Sequence, residues 1–217
     1  RTPFTADGVL FNGVTVVPES ESGSVDPLGV ICHEYGHQLG LPDLYQTTSL
    51  SAIGKWSLMD GGIYIPASSP GSNPAHLDAW SKQFLGFSQV RTIQSAHGET
   101  ETLFSASASR ASFLRVPIDV SSVGGGNEYF LIEYRRTAGA TYDLALPGQG
   151  ILIWHVDDSI AANAARLDAN NINSGTPNLG VDLVEADNSD SSNSGDSGDP
   201  WRDTTFSTPK SNAYNGR

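Results

Sequence analysis

The chain has 217 residues, 38 % of them hydrophobic, and a formal net charge of −12 at pH 7. That length buries a real core, as one large domain or two small ones. The acidic balance excludes nucleic acid, whose phosphates want Lys and Arg, and docking on an anionic membrane.

There is no apolar run long enough for a membrane span. The opening "RTPFTADGVLFNGVTVV" has no signal-peptide core, so the protein is cytosolic or its targeting segment lies outside this chain. Cys32 is the single cysteine and forms no internal disulfide. Its place in an apolar helix reads as buried and structural.

In chain order, "GVTVVPE" (Gly13 to Glu19) reads as a short strand, followed by a Ser/Gly loop. Asp26 is an N-cap and Pro27 opens a helix, where its missing N–H costs nothing. Leu28, Ile31, Tyr35 and Leu39 recur at helical spacing, Gly40 stops the helix and Pro42 forbids its continuation. The helix is expected over 27–39. Residues 46–75 read as loop, with "WSLMDGG" (Trp56 to Gly62) as a tight knot. A second helix is expected over 73–87, capped by Asn73, opened by Pro74 and ended at Gly86. After about residue 88 the character changes. "ASFLRVPIDV", "EYFLIEYRR", "GQGILIWHVDD" and "VDLVEAD" are β-rich runs between turn residues, which predicts an antiparallel sheet or sandwich. The fold class is therefore α+β: residues 1–90 carry a metal-site region and 91–217 a β-rich subdomain.

The first helix carries "HEYGH". Residues four apart on a helix differ by roughly 40°, so His33 and His37 project from one face and can converge on one ion. Glu34 is turned by roughly 100° and is placed to bind a water beside the metal. Zn²⁺ suits two neutral imidazoles and a third ligand, with one position open to water. Glu34 then serves as general base and proton carrier to a leaving amine. Asp43, six residues after His37, takes the last place of a metzincin-type H-E-x-x-H-x-x-G-x-x-H pattern. Glu19 or a downstream carboxylate is the alternative third ligand. Met59, the single methionine, sits in "SLMDGG" and suits the methionine turn that metzincins place under the metal. A chance H-E-x-x-H in such a chain has odds of roughly 1 in 200, which sets a surface helix with two idle histidines well behind a metal site.

Together "HEYGHQLGLPDLY", "WSLMDGG", "NPAHLDAWSKQFLGF", "YFLIEYRR", "LPGQGILIWHVDD" and "VDLVEADN…GDSGDP", in this order, resemble the immune inhibitor A family of secreted bacterial metallopeptidases. The resemblance runs from about Val14 to Tyr214. It implies secretion, zinc-dependent endopeptidase activity on protein or peptide substrates, synthesis as a zymogen whose pro-segment or further domains are removed, and calcium sites. It makes His33, His37 and Asp43 the zinc ligands and Glu34 the general base. One departure stands out: only 32 residues precede His33, where zincin domains carry a longer N-terminal half with a substrate-binding edge strand. That motivates a rival reading, an inactive fragment or pseudo-peptidase that binds calcium or a partner.

The remaining candidates divide between structure and function. Tyr64, shortly after the methionine, suits an oxyanion stabiliser or a core aromatic. His76 and His155 read as packing histidines, and His97 as a turn residue. The acidic run "DNSDSSNSGDSGDP" is either a solvated loop or a calcium site formed by Asp187, Asp190, Asp196 and Asp199, with Asp157 and Asp158 as further candidates.

Overall fold

The computed structural model describes residues 3–11, 13–20, 28–46, 53–93, 100–109, 113–118, 127–174, 178–187 and 194–202. Asp26, Pro27, His97, Asp190 and Tyr214 lie outside them.

The chain starts with a hairpin, β1 (Phe4–Ala6) and β2 (Val9–Phe11), paired antiparallel. Its turn is Asp7-Gly8, both with positive φ, the sequence that favours a two-residue hairpin turn. Residues 13–18 form no strand. This corrects the expectation for "GVTVVPE": β-propensity alone makes no strand when nothing pairs with it.

Helix α1 (Leu28–Gln38) matches the expected span over its described residues. Its end is a Schellman turn. Gly40 takes φ +100°, Gly40 N–H donates to His37 O (3.1 Å) and Leu41 N–H to Gly36 O (3.0 Å). The buried face of α1 is not its apolar one. Gly29, His33 and Gly36 are buried, whereas Ile31, Tyr35 and Leu39 are exposed. The two glycines explain this. A Cβ on Gly29 would lie 2.0 Å from Ile63 O, and one on Gly36 would lie 2.8 Å from Met59 Sδ. The helix rests backbone-first on the 57–64 segment.

The knot around Met59 is held by two carboxylates. Asp60 accepts from Ile53, Gly54 and Gly61 N–H at 2.6–3.0 Å. Asp78 accepts from Ser57 Oγ (2.7 Å), Ser81 N–H (2.8 Å) and Ser81 Oγ (2.7 Å). Asp78, not Asn73, is therefore the N-cap of the second helix, α2, which spans Ala79–Phe84. The expected span of 73–87 is corrected at its start because the backbone there is committed elsewhere. Ala75 N–H donates to Gly62 O (2.9 Å), His76 N–H to Asp143 Oδ1 (2.8 Å), and His76 O accepts from Leu58 N–H (3.3 Å). Gly86, at φ +68°, follows the helix end as expected.

The β-rich part is one five-stranded sheet in the order β3 (Val90–Thr92), β4 (Phe113–Pro117), β5 (Glu128–Arg135), β6 (Gly150–Asp157), β7 (Val181–Leu183). All pairs are antiparallel except β3–β4, which is parallel. Of the two expected forms, the sheet is seen and no second large sheet packs on it among the described residues. Two short helices, α3 (Asp158–Ala161) and α4 (Ala164–Asp168), join β6 to β7. One buried cluster contains Leu44, Trp56, Met59 and Trp80 from the first half and Phe113, Leu131, Trp154 and Val181 from the sheet. Among the described residues no helix is long and apolar enough to cross a membrane.

Candidate metal centre and cleft

His33 and His37 sit one turn apart on α1, with ring centroids 4.7 Å apart at 83°. Each has its Nδ1 against a backbone carbonyl, His33 on Leu58 O (2.9 Å) and His37 on Leu41 O (2.7 Å). A carbonyl only accepts, so in both rings Nδ1 carries the proton and donates. The neutral ring then turns the Nε2 lone pair outward. Both Nε2 atoms lie 3.1 Å from the same atom, Asp43 Oδ1. That oxygen is buried and has no hydrogen-bond donor. Burial works against an ionised Asp43, but contacts with His33, His37 and Tyr45 outweigh it and hold its carboxyl below the usual carboxylate range, while the bond to Asp43 raises His37. Three lone-pair atoms that face one another are an arrangement that a cation between them would stabilise. Two imidazole nitrogens and one carboxylate oxygen are a donor set that zinc accepts. Glu19, the alternative ligand, is exposed and belongs to no such cluster among the described residues.

The loop that carries Asp43 is anchored at several points. Leu44 N–H donates to Met59 O (2.9 Å). Asp43 N–H donates to Asn170 Oδ1 (2.6 Å), and Asn170 Nδ2 donates to Asp43 Oδ2 (2.5 Å). Asn173 Nδ2 donates to Leu44 O (2.9 Å), and Ser174 Oγ to Tyr45 O (3.3 Å). Sequence reading missed this asparagine turn. Its one local signal is "DANNINS" between two ordered runs, which reads as plain loop.

Glu34 is half-buried, and one of its oxygens lies within 4.8 Å of the histidine nitrogens. It opens onto a cleft of about 590 Å³ lined by His33, Tyr45, Lys55, Ile63 and Tyr64. Tyr64 is 47 % exposed at this cleft. Tyr45 was not singled out in the sequence. Burial first, then its bond to Asp43, pushes its hydroxyl up to about 12, so it keeps its proton at neutral pH. Met59 is fully buried under α1 at Gly36, between the two histidines in sequence.

The acidic run forms a second cluster. Carboxylate oxygens of Glu185, Asp187 and Asp199 lie within 4.8 Å of one another. Asp199 is fully buried. Its Oδ2 accepts from Trp56 Nε1 (2.6 Å) and Asp196 N–H (2.9 Å), and its Oδ1 is buried without a hydrogen-bond partner. Burial pushes its carboxyl up to about 6. Asp196 stands next to it and accepts from Gly198 N–H (2.5 Å). Glu185 was missed because it lies in a strand-like run before the Asp/Ser/Gly stretch. Asp157 and Asp158 are held elsewhere, by Ser159 and by Tyr129. Cys32 is half-buried, and burial raises its thiol. His76 has its backbone bound as above, and His155 Nε2 meets Glu128 Oε2 at 2.8 Å.

Residues 6–90 match the family model described as immune inhibitor A peptidase M6, catalytic domain. Over 60 residues the chain is 42 % identical to the pre-pro-metalloprotease PrtV of Vibrio cholerae serotype O1; the match covers 26 % of this chain and 6 % of that protein. Over 70 residues it is 41 % identical to Immune inhibitor A of Bacillus thuringiensis subsp. alesti, covering 31 % of this chain and 10 % of that one. The chain therefore matches only a small part of the length of its curated relatives. No solved structure matches it. The histidine helix and its carboxylate loop both lie inside the matched segment. Over residues 6–90 the chain is thus similar to the catalytic domain of the immune inhibitor A family of metallopeptidases.

Proposed function

We propose that the protein is a secreted, zinc-dependent endopeptidase that hydrolyses protein substrates. The observation that carries this is the convergence of both Nε2 atoms on the donor-free Asp43 Oδ1, 3.1 Å from each. In this reading His33, His37 and Asp43 hold the metal, and zinc when bound supplies an electrophile and an acidified water. Glu34 takes a proton from the attacking water and delivers it to the leaving amine. Tyr64, and with it the proton-bearing Tyr45, faces the cleft where an oxyanion would form. Met59 acts as the methionine turn, packed where the histidine helix has no side chain. Secretion and removal of a pro-segment are expectations that the likeness to this family supports.

Replacing Glu34 with Gln should leave one zinc per chain and lower casein hydrolysis by at least about 100-fold, the usual contribution of a general base. Zinc analysis beside a protease assay reads both, and retained activity would sink the mechanism.

Calcium belongs to this reading at the second cluster, held by Asp187, Asp199 and Glu185, with Asp196 beside them. Hard cations want carboxylate oxygens, and the buried Oδ1 of Asp199 supplies one. Calcium should raise the melting midpoint of the wild type and not that of Asp199→Asn. Equal midpoints with and without calcium would remove the site.

A further inference from the structure

Helix α4 ends in a Schellman turn of its own. Asn170 N–H donates to Leu167 O (3.0 Å) and Asn171 N–H to Arg166 O (2.9 Å), with Asn170 at φ +53°. Glycine is the usual residue at that position, because a positive φ costs it nothing. Here the position holds an asparagine, and its side chain is engaged through both its oxygen and its nitrogen. Its carboxamide reads two groups of one residue, accepting from Asp43 N–H and donating to Asp43 Oδ2. The orientation of the amide is unambiguous, since a backbone N–H only donates and a carboxylate only accepts.

We propose that Asn170 is the positioning residue that makes Asp43 a one-oxygen metal ligand. The clamp holds Oδ2 and the backbone of Asp43, which leaves Oδ1 alone to face His33 and His37 at 3.1 Å. A carboxylate held at one oxygen is disfavoured from swinging away from the metal or binding through both oxygens. Partners of this kind orient ligating groups and tune their affinity. The clamp lies 127 residues from Asp43 and outside the matched segment 6–90. The β-rich part thus contributes directly to the metal centre. This rests on the reading of Asp43 as a ligand.

The test uses Asn170→Gly in the full chain. Glycine keeps the positive-φ turn and removes only the clamp. Asn170 is exposed, so the fold should tolerate the change. Zinc affinity, read by chelator competition, should fall roughly 10–100-fold, while the metal-free melting midpoint stays at the wild-type value. Asn170→Asp, which sets a second carboxylate against Asp43, should weaken zinc at least as much. Asp43→Ala separates the two readings. If Asp43→Ala binds zinc normally, Asp43 is no ligand and the underlying reading fails. If Asp43→Ala loses zinc and Asn170→Gly does not, only the positioning role fails. A lowered metal-free midpoint with unchanged zinc affinity would overturn the proposal too, because the contact would then only tie the fold together. The double variant should bind zinc no more weakly than Asp43→Ala, since the clamp has nothing left to position.

Discussion

Arg135 is fully buried, and its guanidinium holds three separate segments. It grips Asp143 through Nε (2.9 Å) and Nη2 (2.6 Å), meets Glu133 Oε1 at 3.2 Å, and donates to the carbonyl of Trp56 at 3.1 Å. Asp143 in turn accepts from His76 N–H. One charged side chain thus fastens β5 to the start of the Met59 knot and, through Asp143, to His76 beyond it. Breaking a buried pair leaves an uncompensated charge, which costs far more than the pair itself contributes. Arg135→Met should therefore lose about 3–5 kcal/mol in urea unfolding. A loss under about 1 kcal/mol would show that Asp143 finds another way to be neutralised. The position was legible in principle. Burial alternates strictly along β5, so Glu133 and Arg135 share the inner face with Tyr129 and Leu131. The sequence marks them as inward-facing charges, and only the fold shows what neutralises them.

At the scale of elements, the reading held where signals are local. The stop at Gly40, the end after Phe84 and the runs that became β4, β5, β6 and β7 all follow from backbone geometry and neighbouring residues. It failed where a distant partner overrules propensity. Asn73-Pro74 looks like a helix start, but residues 75 and 76 are bonded to Gly62, Leu58 and Asp143 instead, and α2 begins at Ala79 with Asp78 as its cap. Helix α1 teaches the opposite lesson. Its apolar residues look like a core face, yet its glycines and His33 are buried. Close approach of backbone to backbone replaces side-chain burial, and hydrophobic periodicity does not report it. The Asp7-Gly8 hairpin is a local signal that was simply passed over.

Across the whole molecule, the five-stranded sheet follows residue 88, and the buried cluster runs through that point. Trp56 bonds Asp199, Lys55 N–H donates to Ser194 O (2.9 Å), and α2 packs on β5 and β6. A fragment ending at residue 90 should therefore show no cooperative melting by circular dichroism, because Leu44, Trp56 and Trp80 would lose the sheet side of their packing. A sharp transition in that fragment would mean the first half holds its own core.

By itself the sequence determined the histidine pair, the glutamate beside it and the turn that brings Asp43 back. These need only a helix repeat and a glycine stop, which are properties of a few adjacent residues. The tertiary structure alone decided the rest: that Asp43 Oδ1 meets both imidazoles, that Leu58 O orients His33, and that Asn170 holds Asp43 from 127 residues away. Such contacts are set by how packed elements lie on one another, and no local pattern of residues encodes that distance.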